Sequence, residues 1–181
     1  MQDDIAAHMA RWRVPLGLGL GIIYMILAQP TRFSLLEGSL IALAGLGIRA
    51  YAAGYLDKNK RLATEGPYAR TRNPLYLGSF VIGVGLVLAA RTWLLGVIFV
   101  IFFAVVYVQV MKHEAKDLSG RFGEAYLQYA ERVPLLIPAG SKRIRGHERF
   151  CWTRYLKNRE YEAALGYVGA ILFLAIKIKL R

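Results

Sequence analysis

Cysteine and acidic residues are scarce in this sequence. Cys151 is the single cysteine among 181 residues, which excludes a disulfide within the sequence and a metal site made of several cysteines. Aspartate and glutamate together number 12, against 24 lysines and arginines, so the formal net charge is +12. A cationic chain suggests an anionic partner, for which nucleic acid and anionic lipid are the two obvious classes.

Long polar segments are also scarce, because 56% of the residues are hydrophobic and they are gathered into runs. This segregation is untypical of a soluble domain and indicates an integral membrane protein. The basic residues lie between the runs, so we expect membrane lipid headgroups, and no nucleic acid, as the anionic partner. Residues 1–13 contain no small-residue cleavage site, so we expect the first run to be a retained span and not a signal peptide.

Five hydrophobic runs define the predicted architecture. They cover residues 14–29, 34–55, 74–90, 93–111 and 160–179. The predicted fold class is all-α: one integral membrane domain over residues 1–181, built as a bundle of about five transmembrane helices. The last run is short for a full crossing. It is either a tilted fifth span, which we prefer, or an interfacial helix that follows the basic loop 139–159.

Lysines and arginines are concentrated in residues 57–73 and 112–160 and are sparse in the turns near positions 31 and 91. This distribution places the two basic segments in the cytoplasm. Arg49 lies near the cytoplasmic end of the second run, and we expect its side chain to snorkel to that surface. The alternative is a functional role for this arginine. Close helix packing is suggested by Gly17 and Gly21 in the first run and by the glycines of the third.

A polar, turn-rich segment, residues 62–76, separates the second and third runs, and we call it the hub. Asn73 is predicted to cap the following helix with its side chain, and Pro74 suits the first helical position. Arg70 and Arg72 precede this helix start, so the hub can form an anion site. The alternative is a basic loop that only orients the helix.

The chain after the fourth run, residues 112–132, has apolar residues at spacings of three and four. It is predicted to be an amphipathic helix that leaves the membrane on the same side as the hub, bent or weakened at Gly120 and Gly123. Residues of the two segments that can then face each other are Tyr68, Arg72, Asn73, Tyr76, His113, Glu114, Tyr126 and Arg132. Such a set suits a zwitterionic ligand with an additional cationic centre. The alternative is a set of ordinary interfacial charges.

Two motifs carry a resemblance. The first reads Gly66-Pro67-Tyr68, then Arg72-Asn73-Pro74 and Tyr76, and the second reads Glu114, Phe122-Gly123, Tyr126 and Arg132-Val133-Pro134. Over roughly residues 60–138 the chain resembles the isoprenylcysteine carboxyl methyltransferase and phospholipid N-methyltransferase superfamily of integral membrane methyltransferases. Two positions depart from its pattern, since Asn73 replaces a histidine and Ala115 replaces a second glutamate.

The resemblance implies S-adenosyl-L-methionine as cofactor and a lipid or prenylated acceptor, methylated on a carboxylate or an amine. The residues that it implies hold the cofactor are Tyr68, Asn73, Pro74, Tyr76, His113 and Glu114. Arg72 and Arg132 would be the catalytic residues that position the acceptor and balance its charge. An amine acceptor must lose a proton, for which His113 and Glu114 are the nearest candidates. The superfamily needs no metal.

Two other functions fit the sequence. One is an NADPH-dependent membrane reductase related to the sterol reductases. The other is a non-catalytic scaffold that has lost the chemistry, as the departures at Asn73 and Ala115 would indicate. We expect a prokaryotic inner membrane with the site facing the cytoplasm. The oligomeric state is left open, because the Gly17 and Gly21 face could pack within the chain or between chains.

Overall fold

The computed structural model describes residues 2–58, 60–138 and 149–180, with side chains from Pro15 onward. Its helices are α1 (Gln2–Leu27), α2 (Arg32–Tyr55), α3 (Pro74–Ala90), α4 (Trp93–Phe102), α5 (Val108–Phe122), α6 (Glu124–Arg132), α7 (Trp152–Lys157) and α8 (Tyr161–Lys179). The described residues contain no β-strand, which confirms the all-α prediction.

The apolar helices form an integral membrane bundle. A π-helical segment, Phe103–Tyr107, joins α4 to α5, so that Trp93–Phe122 is one continuous rod. This rod, α2 and α8 are long and apolar enough to cross a membrane, whereas the apolar part of α1, Pro15–Leu27, and α3 are shorter. The bundle thus pairs three long helices with two short ones, at the positions of the five predicted runs.

Helices α2 and α3 form the largest interface, and their backbones meet at glycines. A Cβ atom on Gly85 would lie 2.5 Å from the Ala42 nitrogen, and one on Gly45 would lie 2.7 Å from the Ile82 nitrogen. Small residues allow such close approach in membranes. Nothing within the described part of the chain lies within 4 Å of the Cβ positions of Gly17 and Gly21. Their predicted packing therefore has no partner among the residues that the structure describes.

Helix α8 runs from one end of the bundle to the other. Glu160 precedes it at the end where the hub lies. Lys177 lies near the other end of α8. Its Nζ donates hydrogen bonds to the carbonyls of Met25 and Ile26, which belong to the last turn of α1. Leu174 is completely buried at that same end. A fifth span would take this course, and the crossing itself stays a prediction.

The segment before α8 lies on the C-terminal end of α2. The Cys151 N–H donates to the Gly54 carbonyl over 3.1 Å, and the Asn158 amide donates to Ala53 and Leu56 carbonyls. Trp152–Lys157 is helical, so the prediction of a basic loop over 139–159 is wrong there. Residues 139–148 of that predicted loop lie outside the described residues.

The predicted helix over 112–132 is divided in two. Gly123 separates α5 from α6 with a φ of 53°, a backbone conformation that favours glycine. The break lets α6 turn back toward the hub, where Tyr126 and Tyr129 are buried. The bend predicted from the glycines is therefore confirmed at Gly123.

Candidate functional site

A cavity of about 610 Å³ lies at the end of the bundle where α2 ends and α3 begins. Its polar lining includes Arg49, Tyr68, Arg72, Tyr76, Glu114 and Glu160. These residues come from α2, the hub, α3, α5 and the residue before α8. The cavity is within the range of about 300–1,000 Å³ that is typical of small-molecule sites.

The hub is held in shape by α6 and the segment after it. Gly66–Ala69 forms a 3₁₀ turn, which buries Tyr68. The Tyr129 hydroxyl donates to the Tyr68 carbonyl over 2.7 Å, and the Arg72 N–H donates to the Pro134 carbonyl over 2.9 Å. Two backbone groups of the hub therefore have fixed partners, which makes one wall of the cavity rigid.

Asn73 is at the N-cap position of α3, but its side chain does not make the predicted cap. Its Nδ2 instead donates to the Leu135 carbonyl over 2.9 Å, because the segment after α6 passes beside the helix start. Pro74 occupies the first turn of α3, as predicted, and both residues line the cavity. The capping prediction is therefore wrong, while the predicted helix start is confirmed.

Tyr76 and Glu114 meet across the cavity. The Tyr76 hydroxyl donates to the Glu114 Oε1 over 2.6 Å, which joins α3 to α5. The ring of Tyr76 also contacts Tyr107 edge to face, with ring centroids 5.5 Å apart. The structure thus brings together one residue from each of the two predicted segments, beside a second aromatic ring.

Two polar atoms in the cavity wall are buried without a hydrogen-bond partner among the described residues. They are the Tyr68 hydroxyl and the Arg72 Nε. Arg72 also donates from Nη1 to the Tyr126 hydroxyl over 3.3 Å. Burial raises the pKa of Tyr68, with Tyr129 and nearby carboxylates raising it further, so this hydroxyl stays protonated. Buried atoms of this kind are normally paired with protein, water or a ligand, so these two mark a place where a further polar molecule fits.

Three predicted residues are not brought into the cavity. His113 is rotated about 100° from Glu114 around the axis of α5, so it faces away from the Glu114 side. Its Nε2 lies 3.6 Å from the Asp117 Oδ2, one turn further along the helix. Arg132 is exposed at the end of α6, and Arg70 is exposed beside the 3₁₀ turn. The residues that line the cavity do not include these three. The roles predicted for His113 and Arg132 stay predictions, and of the predicted arginine pair only Arg72 lines the cavity.

The cavity is also lined by an ion pair that the motifs did not indicate, between Arg49 and Glu160. The Arg49 Nε and Nη2 both donate to the Glu160 carboxylate over 2.9 Å, and Arg49 Nη1 donates to Ser79 and to the Leu75 carbonyl. The prediction that Arg49 snorkels is wrong, because it has a buried partner. An ionisable residue within a span was the available signal, since such groups usually pair or line a cavity.

The fold and the cavity define an integral membrane helix bundle with a polar, ligand-sized site at one end. The profile of the phospholipid methyltransferase family matches residues 19–125, and the chain belongs to this family. The predicted superfamily of membrane methyltransferases is thereby confirmed. No solved structure matches the chain.

The chain is similar in sequence to three curated relatives. It is 36% identical over 100 residues to the nickel-cobalt-cadmium resistance protein NccN of Alcaligenes xylosoxydans xylosoxydans, covering 54% of this chain and 46% of that protein. It is 32% identical over 100 residues to the cobalt-zinc-cadmium resistance protein CzcN of Cupriavidus metallidurans, covering 54% and 45%. It is 29% identical over 103 residues to the protein-S-isoprenylcysteine O-methyltransferase of Schizosaccharomyces pombe, covering 57% and 44%. The chain thus spans somewhat less than half the length of these relatives.

Proposed function

We propose that the chain is an S-adenosyl-L-methionine-dependent methyltransferase that acts on a lipid or lipid-like acceptor at the cytoplasmic surface of a membrane. The observation that carries this proposal is the cavity that joins the hub to the Tyr76–Glu114 pair. Its wall contains two buried polar atoms that have no partner in the described part of the chain. Family membership and the name of the yeast relative support the same class of reaction.

The cavity residues fit the charged groups of this cofactor. The Arg72 Nε and the start of α3 are suited to a carboxylate, and the Glu114 carboxylate is suited to an ammonium group. The faces of Tyr76 and Tyr107 are suited to a sulfonium by cation–π attraction. In this proposal Tyr68, Asn73 and Pro74 complete the wall that contacts the cofactor.

The cofactor, when bound, supplies an electrophilic methyl group on a sulfonium. The chain's task is to align the acceptor with that methyl group and to exclude water, which the apolar lining from Met111, Leu118 and Phe122 promotes. Arg72 would balance the charge of an anionic acceptor, which needs no base. For an amine acceptor, Glu114 is the candidate proton acceptor that lines the cavity.

The orientation in the membrane is part of the proposal. Lysines and arginines are concentrated at the end of the bundle where the cavity lies, which favours a cytoplasmic location for that end. The position of the cavity at the end of apolar helices suits an acceptor with a hydrocarbon tail in the bilayer. A prokaryotic cell membrane is the location that we propose.

Titration calorimetry of the detergent-purified chain tests the cofactor assignment. We expect micromolar binding of S-adenosyl-L-methionine and no binding of NADPH. Glu114→Ala and Arg72→Ala should weaken binding at least tenfold, since each removes a charge-assisted hydrogen bond worth about 1.5–3 kcal/mol.

Two variants on the exposed surface serve as matched controls. Glu131→Ala and Lys112→Ala change exposed residues that do not line the cavity, so their affinity should equal that of the wild type. Binding of NADPH alone would assign the chain to the reductase class. Binding of neither compound would favour the non-catalytic scaffold and overturn the proposed site.

A further inference from the structure

The cavity has a wall that comes from outside the family-matched region. Residues 19–125 match the family, whereas Glu160 follows that region and enters the cavity from the start of α8. It meets Arg49, which lies 111 residues earlier in the chain. The exposed fraction of the side chain is 6% for Glu160 and 22% for Arg49. A mostly buried ion pair therefore connects the family-matched region to the start of α8.

The pair leaves Arg49 with little capacity for a ligand. Two of its nitrogens donate to Glu160, and the third donates to Ser79 and to the Leu75 carbonyl. A guanidinium with these partners is a poor anchor for an acceptor. Its charge, however, acts on anything in the cavity, and the Glu160 carboxylate cancels most of that charge.

The charge matters because the proposed cofactor is a cation at its reacting centre. An unpaired guanidinium in the same low-dielectric cavity would repel a sulfonium. We infer that Glu160 is a positioning residue that holds Arg49 and neutralises it, and thereby lets the cavity prefer the sulfonium cofactor over its neutral thioether product. This inference rests on the proposed function.

The test compares two ligands that differ chiefly in the sulfonium methyl group and its charge. Dissociation constants of S-adenosyl-L-methionine and S-adenosyl-L-homocysteine are measured by calorimetry on the full chain in detergent. Glu160→Gln should weaken binding of S-adenosyl-L-methionine, relative to binding of S-adenosyl-L-homocysteine, by roughly tenfold. This is the effect expected of one charge at about 10 Å in a partly polar interior. Arg49→Gln should change the same ratio in the opposite direction, because it leaves a carboxylate facing the cavity.

Two further variants complete the design. The double variant with Arg49→Gln and Glu160→Gln should return the ratio to the wild-type value, since the cavity is again neutral at this point. Glu162→Gln is the matched control, because Glu162 pairs with Arg159 on the exposed surface and does not line the cavity. It should leave the ratio unchanged.

The outcomes separate this inference from the proposed function. If the wild type binds both ligands and the two single variants shift the ratio in the same direction, or leave it unchanged, the pair is merely structural and the inference is wrong. If one single variant does not fold, the direction of the shift in the other decides. If the wild type binds neither ligand, the proposed function and this inference are both overturned.

Discussion

Tyr129 joins two segments of the site through one hydroxyl group. Its hydrogen bond to the Tyr68 carbonyl is buried, and burial raises the pKa of Tyr129 above its ordinary value near 10. The charge of Arg72 opposes this increase, and Tyr126 adds to it. The folded protein therefore keeps this proton to a higher pH than the unfolded chain does. The resulting stabilisation is present below about pH 10 and is lost as the pH rises through the pKa of the folded state.

We predict that Tyr129→Phe lowers the free energy of unfolding by about 1 kcal/mol near pH 8, through the lost hydrogen bond. Above about pH 10 its stability should fall less steeply than that of the wild type, by up to about 1.4 kcal/mol per pH unit. Chemical unfolding in detergent, followed by circular dichroism, measures both effects. Tyr161→Phe, which changes an exposed tyrosine, is the control, and parallel pH curves for the wild type and Tyr129→Phe would contradict the prediction.

Single residues were predicted from the sequence with mixed success. Tyr76 and Glu114 could be found because each lies in a short motif on one side of a helical hairpin. The hydrogen bond from the Asn73 side chain to the Leu135 carbonyl could not be predicted, because Leu135 lies in a segment without periodicity. The partner of Arg49 was hidden for another reason: spacing along the chain carries no information about a contact between α2 and the start of α8.

At the level of whole helices, the α2–α3 crossing is the most closely packed contact in the described structure. Sequence analysis indicated that the glycines of α3 allow close packing, and this is confirmed for Gly78 and Gly85. It did not identify α2 as the partner, since Gly38 and Gly45 lie in a run where small residues are common. Their function is visible only when both helices are placed side by side.

We predict that Gly85→Leu lowers the unfolding temperature of the protein in detergent. Its new side chain would meet the backbone of Ala42 and Gly38, so the helices must separate, at a cost of about 1–3 kcal/mol or more. Differential scanning fluorimetry measures the change. Gly47→Leu is the matched control, because nothing lies within 4 Å of its Cβ position. Equal unfolding temperatures for the two variants would show that the crossing tolerates separation.

At the scale of the whole molecule, the topology is described by which helix ends lie at the same surface of the membrane. The hydrophobic runs were sufficient to predict five apolar helices, because segregation of apolar residues is a strong signal. They were not sufficient to predict α7 or the contacts of residues 150–158 with α2, because a short helix at an interface has no distinctive periodicity.

We predict the sidedness of three engineered cysteines in a Cys151→Ser background. Lys58→Cys should react with a membrane-impermeant maleimide only from the cytoplasmic side, because Lys58 lies between α2 and the hub, at the end of the bundle that our proposal places in the cytoplasm. Arg91→Cys and Lys179→Cys should react only from the opposite side, because α3 ends and α8 ends at the other end of the bundle. Intact cells and inverted vesicles provide the two measurements.

The background without cysteine is the control for nonspecific labelling. If Lys179→Cys reacted from the same side as Lys58→Cys, helix α8 would not cross the membrane. Reversed labelling of all three positions would instead show that the helices cross as described but that the cavity lies on the outer surface of the membrane. The experiment thus tests the course of α8 and the orientation of the protein separately.

The long sequence separation of the Arg49–Glu160 pair has a consequence for biosynthesis. The two residues are 111 positions apart, so at about 5–20 residues per second the ribosome adds Glu160 roughly 5–20 s after Arg49. During that interval Glu160 is not available to α2, whereas Ser79 and the Leu75 carbonyl of α3 follow Arg49 by only 30 and 26 residues. The polar contacts of Arg49 with α3 can therefore form first, and its ion pair can form only when the start of α8 has docked.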